Sequence, residues 1–153
     1  MYEIVQIFIF KRRMFLKDCN DLDRRLRFIP NWSISVEIGS VLVLENEPFI
    51  ALDVEETLAS LGASFVATLD TRAAALEWLA SNRANLAVID PRLNDGICHD
   101  VAERLSQQQI PFIVYAGALV EGIGAQAFSR GHWLWKPAAP DEFQDAVRRL
   151  LVR

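Results

Sequence analysis

Residues 86–91 read Leu-Ala-Val-Ile-Asp-Pro, an apolar run that ends in a carboxylate and a proline. A short, continuous apolar run that stops at a turn signal is typical of a buried strand in a parallel sheet. In open α/β sheets, ligands bind at the carboxyl ends of the strands, because the strand ends and the loops after them form a crevice. Asp90 is therefore our first candidate for chemistry.

Two other apolar runs end in polar side chains of complementary chemistry. Residues 41–44 (Val-Leu-Val-Leu) are followed by Glu45 and Asn46, and residues 133–135 (Trp-Leu-Trp) are followed by Lys136. If the three strands are parallel neighbours, these side chains converge with Asp90 at one sheet edge. Carboxylates suit a hard divalent cation such as Mg²⁺, and an ammonium group suits a phosphoryl group as a point charge. One site for a metal, a phosphoryl group and a nucleophilic carboxylate is predicted.

From residue 41 onward, strand and helix patterns alternate regularly. The pattern predicts strands at 41–44, 64–69, 86–90, 111–115 and 132–135, each followed by a helix, with helices at 48–61, after Thr71, at 97–107, at 120–129 and from Asp141 to Leu151. The segment 91–96 reads as a turn. Five βα units with crossovers of this length predict a parallel sheet covered by helices on both faces.

Several details of these helices can be predicted. Proline suits the first turn of the helix that begins at Pro48, and Thr71 and Asp141 are expected to cap their helices. The first helix is expected to turn four side chains toward the core: Phe49, Leu52, Leu58 and Leu61. Glycines at 122 and 124 lower the helix propensity of 120–129.

Composition places the chain among globular proteins. It has 153 residues, 52% of them hydrophobic and 24% charged, enough for one domain and an appendage. The two cysteines, Cys19 and Cys98, are too few for a disulfide framework, which fits a reducing cytoplasm. No run approaches the roughly 20 apolar residues of a membrane-spanning helix.

Charge is divided unequally along the chain. Residues 1–40 carry seven basic and five acidic side chains (+2), whereas residues 41–153 carry nine and fifteen (−6). An acidic domain argues against nucleic-acid binding. It is compatible with a protein partner and a metal ion.

Residues 1–40 are predicted to form an N-terminal extension, and residues 41–153 the domain. Residues 4–10 are strongly apolar and precede Lys11-Arg12-Arg13, the reverse of the order in a signal peptide, so we do not expect export. Residues 18–28 could form a short helix, and residues 34–38 alternate as a strand would. We expect the extension either to pack on the domain or to fray. A start codon assigned too far upstream would also produce such a segment. The alternative is a dimerisation or membrane-contact arm.

From Val41 to Arg153, 113 of the 153 residues, the chain resembles the receiver domain of bacterial response regulators. The resemblance rests on an acidic pair after strand one, an aspartate after strand three and a Lys-Pro after strand five. It implies a (βα)₅ doubly wound, flavodoxin-like fold with a parallel sheet of order 2-1-3-4-5. Within this family, the chain resembles single-domain receivers of the chemotaxis type.

The resemblance assigns roles to the residues at the sheet edge. Asp90 would be the phosphoacceptor and Lys136 would contact the phosphoryl oxygens, with a cis Lys136–Pro137 bond aiming the lysine inward. Mg²⁺ would be held by Glu45, Asn46, Asp90 and the backbone carbonyl of Arg92. The structural alternatives are a carboxylate that caps the turn after its strand, and a lysine that forms a salt bridge with the same acids.

Two positions depart from the family pattern, and a third is open. Asn46 stands where the family has an aspartate, so one negative charge is lost and Mg²⁺ should bind weakly. Ala116 stands where a Ser or Thr hydroxyl follows the phosphoryl group, so phosphorylation should be poorly transmitted. Trp133 occupies the place of the switch aromatic; it either serves as a binding anchor or packs between strand five and a neighbouring helix.

We interpret the chain as a stand-alone, cytoplasmic receiver of a two-component phosphorelay, with no output domain attached. A histidine kinase or histidine phosphotransfer protein would be the donor, and an unknown downstream protein would receive the signal. We expect no enzyme activity beyond self-phosphorylation and self-dephosphorylation. A homodimer is possible, through a surface near Ala127, Trp133 and Trp135.

Other classes of function are weighed against this one. The main alternative is a degenerate, phosphorylation-independent receiver that acts as a protein-interaction module. A metal-dependent phosphohydrolase would need a second acid where Arg92 stands, and a flavin-binding fold would need a hydroxyl-rich loop after strand one. A metal or nucleophile site at Cys98-His99-Asp100 is discounted, because adjacent helical residues point in different directions.

Overall fold

The computed structural model describes residues 38–122 and 124–151. Its elements, in chain order, are β1 (Gly39–Leu44), α1 (Pro48–Ser60), β2 (Ala63–Leu69), α2 (Arg72–Ser81), β3 (Leu86–Ile89), β4 (Arg92–Leu93), β5 (Gly96–Ile97), α3 (His99–Gln107), β6 (Phe112–Ala116), a 3₁₀ helix (Ala125–Arg130), β7 (His132–Trp135) and α4 (Pro140–Leu151). Within this part of the chain, none of the helices combines the length and the hydrophobicity that crossing a membrane requires.

Five of the strands form one parallel sheet in the order β2-β1-β3-β6-β7. The predicted order 2-1-3-4-5 is confirmed, since β4 and β5 form a separate antiparallel pair after β3. The strand order reverses between β1 and β3, where crossovers lead to opposite faces of the sheet. In the register of these two strands, Leu44 lies beside Ile89. The residues that follow, Glu45 and Asp90, therefore leave the sheet side by side.

Alternate side chains of the central strands enter two separate cores. Val41, Val43, Leu86 and Val88 pack on one face, against α1 and α4. The opposite face carries a larger core built on α2, α3 and the 3₁₀ helix, whose fully buried members include Leu42, Leu44, Ile89, Leu105, Phe112 and Phe128. The central strands are apolar throughout because both of their faces are covered.

The predicted inner face of α1 is wrong in part. Leu58 is buried as predicted, but Phe49 is 89% exposed and Leu52 is 53% exposed. Ala51 and Val54 join Leu58 inside, at helical spacings of three and four. The first turns of α1 are apolar nearly all round, so periodicity alone fits either face.

The helix predicted at 120–129 is also wrong. The structure has instead a 3₁₀ helix that begins only at Ala125. Gly122 and Gly124 take positive φ angles of 91° and 93°, a conformation that an α-helix does not contain. Two glycines in this conformation therefore prevent a continuous helix.

Three boundaries show how local contacts determine the ends of helices. The side chain of Thr71 accepts a hydrogen bond from the N–H of Ala74, as predicted for a cap. Helix α3 begins at His99 rather than at residue 97, because Ile97 pairs with Arg92 in the small hairpin. Helix α4 begins at Pro140, so Asp141 lies in its first turn and is not its cap.

The first strand starts two residues earlier than predicted, at Gly39, and Ile38 before it is buried. The predictions for residues 1–37 fall outside the described residues. The division of the chain at residues 40 and 41 stays a prediction.

Candidate functional site

The carboxyl ends of β1 and β3 bring Glu45 and Asp90 to the same sheet edge. The N–H of Asp90 donates to the carbonyl of Leu44 at 2.8 Å, and the N–H of Glu45 donates to the carbonyl of Leu69 at 3.0 Å. These bonds extend the sheet ladder by one residue on each strand. The backbone of both acids is therefore fixed before their side chains make any contact.

Lys136 joins the two acids. Its ammonium group lies 2.5 Å from Oδ2 of Asp90 and also donates to Oε2 of Glu45. Glu45 is only 5% exposed, and the side chains of Lys136 and Asp90 are 13% and 14% exposed. The structure thus brings together three of the residues that the sequence places at the site. The Lys136–Pro137 peptide bond is cis.

The surroundings of Lys136 keep it charged. Burial acts to lower the pKa of its ammonium group, but hydrogen bonds from that group to Asp90 and Glu45 and their negative charges outweigh burial. The pKa is therefore raised above its ordinary value of 10.5. The ring of Tyr115 lies 5.3 Å from the ammonium nitrogen and adds a cation–π contact. Two carboxylates and one permanent cation leave the cluster with one net negative charge.

Two further hydrogen bonds hold Asp90 in place. Its Oδ1 accepts a hydrogen bond from the N–H of Arg92 at 2.7 Å, and its carbonyl accepts one from Sγ of Cys98 at 3.3 Å. Burial and the charge of Asp90 raise the pKa of the Cys98 thiol to about 12. A thiol of this kind is not a nucleophile at neutral pH.

A cleft of about 250 Å³ opens in front of Asp90 and Lys136. Its other wall is formed by Ala116 and by Gly117 and Ala118. Ala116 is buried at the end of β6, and its carbonyl accepts the backbone N–H of Lys136 at 2.9 Å. The side chain at this position offers a methyl group, so it cannot hydrogen-bond to an oxyanion in the cleft.

The residues proposed to hold Mg²⁺ offer the oxygen ligands that this ion prefers, but together they carry little negative charge. Two carboxylates, the Asn46 amide and the Arg92 carbonyl would supply oxygen ligands, which a hard cation prefers. Each carboxylate already uses one oxygen on Lys136 and the other on a backbone N–H, that of Glu47 for Glu45. Residues 38–122 and 124–151 contain no cluster of three or more Asp, Glu, His or Cys side chains arranged to hold a metal ion.

Asn46 takes part in a hydrogen-bond chain that the sequence did not reveal. Its amide nitrogen donates to the side chain of Asn94 at 3.4 Å, and Asn94 in turn donates to Asp70 at 3.1 Å. Asn94 lies in the β4–β5 turn, and Asp70 follows β2. An amide can donate in this way, whereas the aspartate of the family pattern could only accept.

Asp95, the next residue in that turn, was also missed as a structural residue. Its carboxylate accepts the backbone N–H groups of Arg72 and Ala73, at 2.7 and 3.0 Å, at the N-terminus of α2. Desolvation acts to raise the pKa of Asp95, but these hydrogen bonds outweigh it and the pKa lies below its usual 3.8. The Asp-Gly sequence signals a turn, but it does not show which helix the carboxylate reaches.

The described contacts of Trp133 fit ordinary packing. Its ring meets that of Phe128 edge to face at 6.4 Å and lies 5.4 Å from the ring of Trp135. Trp133 is half-buried against the larger core, while Trp135 is 47% exposed. His132 lies in β7, as expected for a strand residue.

Comparison with solved structures finds receiver domains. The receiver domain of a sensor histidine kinase from Pseudomonas aeruginosa, with a magnesium ion coordinated in its active site cleft, is 20% identical and has a TM-score of 0.64; the match covers 74% of this chain and 98% of that one. The non-phosphorylated HemR receiver domain of Leptospira biflexa is 23% identical, with coverages of 75% and 95% and a TM-score of 0.64. A CheY-like receiver domain from Methylobacillus flagellatus is 18% identical, with coverages of 74% and 98% and a TM-score of 0.62.

No protein-family model matches the sequence, and no curated protein matches it either. The fold is nevertheless clear from the sheet order and from these structures. The chain has the receiver-domain fold of response regulators.

Proposed function

We propose that this protein is a response-regulator phosphoacceptor, in which Asp90 receives a phosphoryl group from a phosphohistidine. The observation that carries the proposal is the buried contact of Asp90 with Lys136 at the open cleft. A carboxylate is a competent nucleophile for phosphoryl transfer. Lys136 is placed to meet the charge on the phosphoryl oxygens as it arrives.

The transfer step uses groups that this chain holds in place. An oxygen of the Asp90 carboxylate forms the new P–O bond, and the P–N bond of the donor's phosphohistidine breaks, with the imidazole leaving and taking up a proton. Lys136 shifts its hydrogen bonds from the two carboxylates toward the phosphoryl oxygens. Mg²⁺ bound by Glu45, Asn46, Asp90 and the Arg92 carbonyl would supply charge neutralisation at those oxygens.

A histidine kinase or a histidine phosphotransfer protein is the proposed donor. The signal then passes to a downstream protein through contacts on the receiver surface. Because Ala116 offers no hydroxyl, we expect a weak conformational response to phosphorylation. The missing hydrogen bond to a charged group contributes about 1.5–3 kcal/mol, which is comparable to the free-energy difference between the two states of a switch.

Intact mass spectrometry tests this proposal directly. The protein is incubated with Mg²⁺ and acetyl phosphate, and Asp90→Asn and Asn46→Asp variants are treated in parallel. One added phosphoryl group in the parent, absent from Asp90→Asn, is the expected result. A faster reaction is expected for Asn46→Asp, because the added charge strengthens the cation site.

The alternative is an interaction module that does not use phosphorylation. The observations that favour it are Ala116 and Asn46, which line the cleft and depart from the family pattern, whereas Asp90 and Lys136 count against it. If the parent and Asn46→Asp both stay unmodified under these conditions, the phosphoacceptor proposal is wrong and this alternative stands.

A further inference from the structure

Three loops meet beside the cleft, and the side chain of Asn94 joins them. Asn94, in the β4–β5 turn, donates its backbone N–H to the carbonyl of Asp70 and its side-chain amide nitrogen to Oδ2 of Asp70, each at 3.1 Å. Its side-chain oxygen accepts a hydrogen bond from the amide nitrogen of Asn46 at 3.4 Å. We call these three side chains, Asp70, Asn94 and Asn46, the amide chain. It leads from the end of β2 to a residue that lines the cleft.

The backbone holds the middle of the amide chain in place. Besides the bond from the Asn94 N–H to Asp70, the carboxylate of the next residue, Asp95, accepts the N–H groups of Arg72 and Ala73. The turn that carries Asn94 is therefore attached both to Asp70 and to the N-terminus of α2. The Asn94 side chain starts from a fixed position.

Hydrogen-bond chemistry gives the amide chain a direction. A carboxylate oxygen only accepts hydrogen bonds, so the amide nitrogen of Asn94 must face Asp70 and its oxygen must face Asn46. That oxygen also only accepts, so the amide nitrogen of Asn46 must face Asn94. The oxygen of Asn46 then lies at the opposite end of its amide group, away from Asn94. The carboxylate of Asp70 thus determines the orientation of an amide two side chains away.

We propose that Asn94 is a positioning residue that keeps the oxygen of Asn46, rather than its nitrogen, available to a divalent cation in the cleft. This inference rests on the proposed function, in which Asn46 is one of the oxygen ligands for Mg²⁺. The two ends of an asparagine amide have almost the same shape, so an unsupported Asn46 presents its N–H groups to a cation as readily as its oxygen. An aspartate needs no such support, because both of its ends are oxygens.

The number of side-chain orientations limits the size of the effect. Two amide orientations in each of about three χ1 rotamers give roughly six states for a free Asn46 side chain. The apparent affinity for a ligand falls with the fraction of molecules in the binding-competent state. Loss of the Asn94 side chain should therefore weaken cation binding by about two- to sixfold.

Binding of Mn²⁺ to the full chain tests this proposal without any phosphoryl transfer. Mn²⁺ prefers the same oxygen ligands as Mg²⁺, and electron paramagnetic resonance measures the free ion as protein is added. We expect Asn94→Ala to weaken binding by the stated factor in the parent but not in the Asn46→Asp background, where either end of the side chain can bind the ion. A purely structural role of Asn94 would weaken binding equally in both backgrounds, so this double-mutant cycle separates the two roles.

Two further variants serve as controls. Asn82→Ala removes another exposed asparagine whose side chain donates to a carbonyl, that of Trp78 at 3.0 Å, and it should bind Mn²⁺ like the parent. Asp90→Asn should lose most of the binding, which assigns the ion to the cleft.

Four results would overturn the proposal. They are no binding of Mn²⁺ by the parent, binding that Asp90→Asn leaves intact, unchanged affinity in Asn94→Ala, and equal weakening by Asn94→Ala in both backgrounds. The phosphoacceptor proposal is tested separately, by the mass of the protein after incubation with acetyl phosphate. Failure of the one proposal is therefore distinguishable from failure of the other.

Discussion

The two walls of the cleft differ in how strongly the fold constrains them. The charged wall is formed by Asp90 and Lys136, and Lys136 also pairs with Glu45, so these three side chains form one set of buried ions. The opposite wall, formed by Ala116, Gly117 and Ala118, carries no hydroxyl, and a 3₁₀ helix rather than an α-helix follows it. The groups that would accept a phosphoryl group are thus kept together, while the groups that would respond to it differ from the family pattern.

Physical chemistry explains why the walls can differ. Removing one member of a buried ion cluster leaves the others without a partner, which destabilises the folded state strongly. An alanine at the end of β6 leaves no unpaired group, and glycines in an exposed loop keep their backbone in contact with water. The charged wall therefore tolerates little change, whereas the opposite wall can change its side chains and still fold.

Lys136→Met is the strongest test of this contrast. It leaves two buried carboxylates without their cation, so the free energy of unfolding should fall by about 3–5 kcal/mol in urea titrations. The double variant Glu45→Gln/Lys136→Met should recover part of this loss, because one of the two charges is then gone. A Lys136→Met protein as stable as the parent would show that the cluster does not hold the site together.

The same cluster predicts a loss of stability in alkali. The pKa of Lys136 is raised in the folded state, so its contribution is complete below 10.5 and is lost as the pH rises through the higher folded-state value. Urea midpoints of the parent should therefore approach those of Lys136→Met above pH 10.5. Parallel curves for the two proteins across this range would contradict the prediction.

Gly131→Ala tests how tightly the chain just before β7 packs against β6, the strand that ends at the opposite wall. A Cβ at Gly131, just before β7, would lie 2.4 Å from the ring of Phe112 and 2.6 Å from Val114. Overpacking of a buried ring should cost about 1–3 kcal/mol in urea unfolding. Gly117→Ala is the control, since a Cβ there meets nothing within 4 Å, and its effect should be within about 0.5 kcal/mol.

Gly122→Ala distinguishes the observed loop from the expected helix by the sign of its effect. Gly122 has φ of 91° and open space around it, so alanine is strained only by the backbone and should destabilise by about 1 kcal/mol. In an α-helix the same change would stabilise by about 1 kcal/mol. Thermal unfolding of the variant and the parent separates the two cases.

Asp95→Asn is expected to have the smallest effect, in acid. The pKa of Asp95 is lowered in the folded state, so its stabilisation is present above pH 3.8 and is lost as the pH falls through the lower folded-state value. The stability difference between parent and variant should be visible at pH 6 and should shrink as the pH falls below 3.8. A difference that stays the same over this range would mean that the charge is not involved.

The sequence predicts the charged wall because local patterns determine it. Continuous apolar runs define buried parallel strands, and the first polar residue after each run must emerge at the sheet edge. Glu45 and Asp90 are placed by this rule alone. Lys136 follows the same rule on β7, and its pairing with both acids needs only opposite charge and proximity.

Other features depend on information that a single sequence does not carry. Periodicity alone does not say which of two apolar stripes on α1 is buried, and it therefore predicts Phe49 and Leu52 in the core. Glycine lowers helix propensity by an amount that packing often overrides, so Gly122 and Gly124 did not exclude a helix. The reach of Asp95 to α2 depends on how two loops meet in space.

The labelling rate of the buried Cys98 thiol reports how often the site opens. Alkylating reagents attack the thiolate, and in the folded protein this group is both enclosed and protonated, with a pKa of about 12. In a Cys19→Ser background, the labelling rate of Cys98 relative to that of a free thiol therefore measures how often the structure around its contact with the Asp90 carbonyl opens. Any ligand or modification that makes such opening rarer should lower the labelling rate of Cys98, even where it leaves the average structure unchanged.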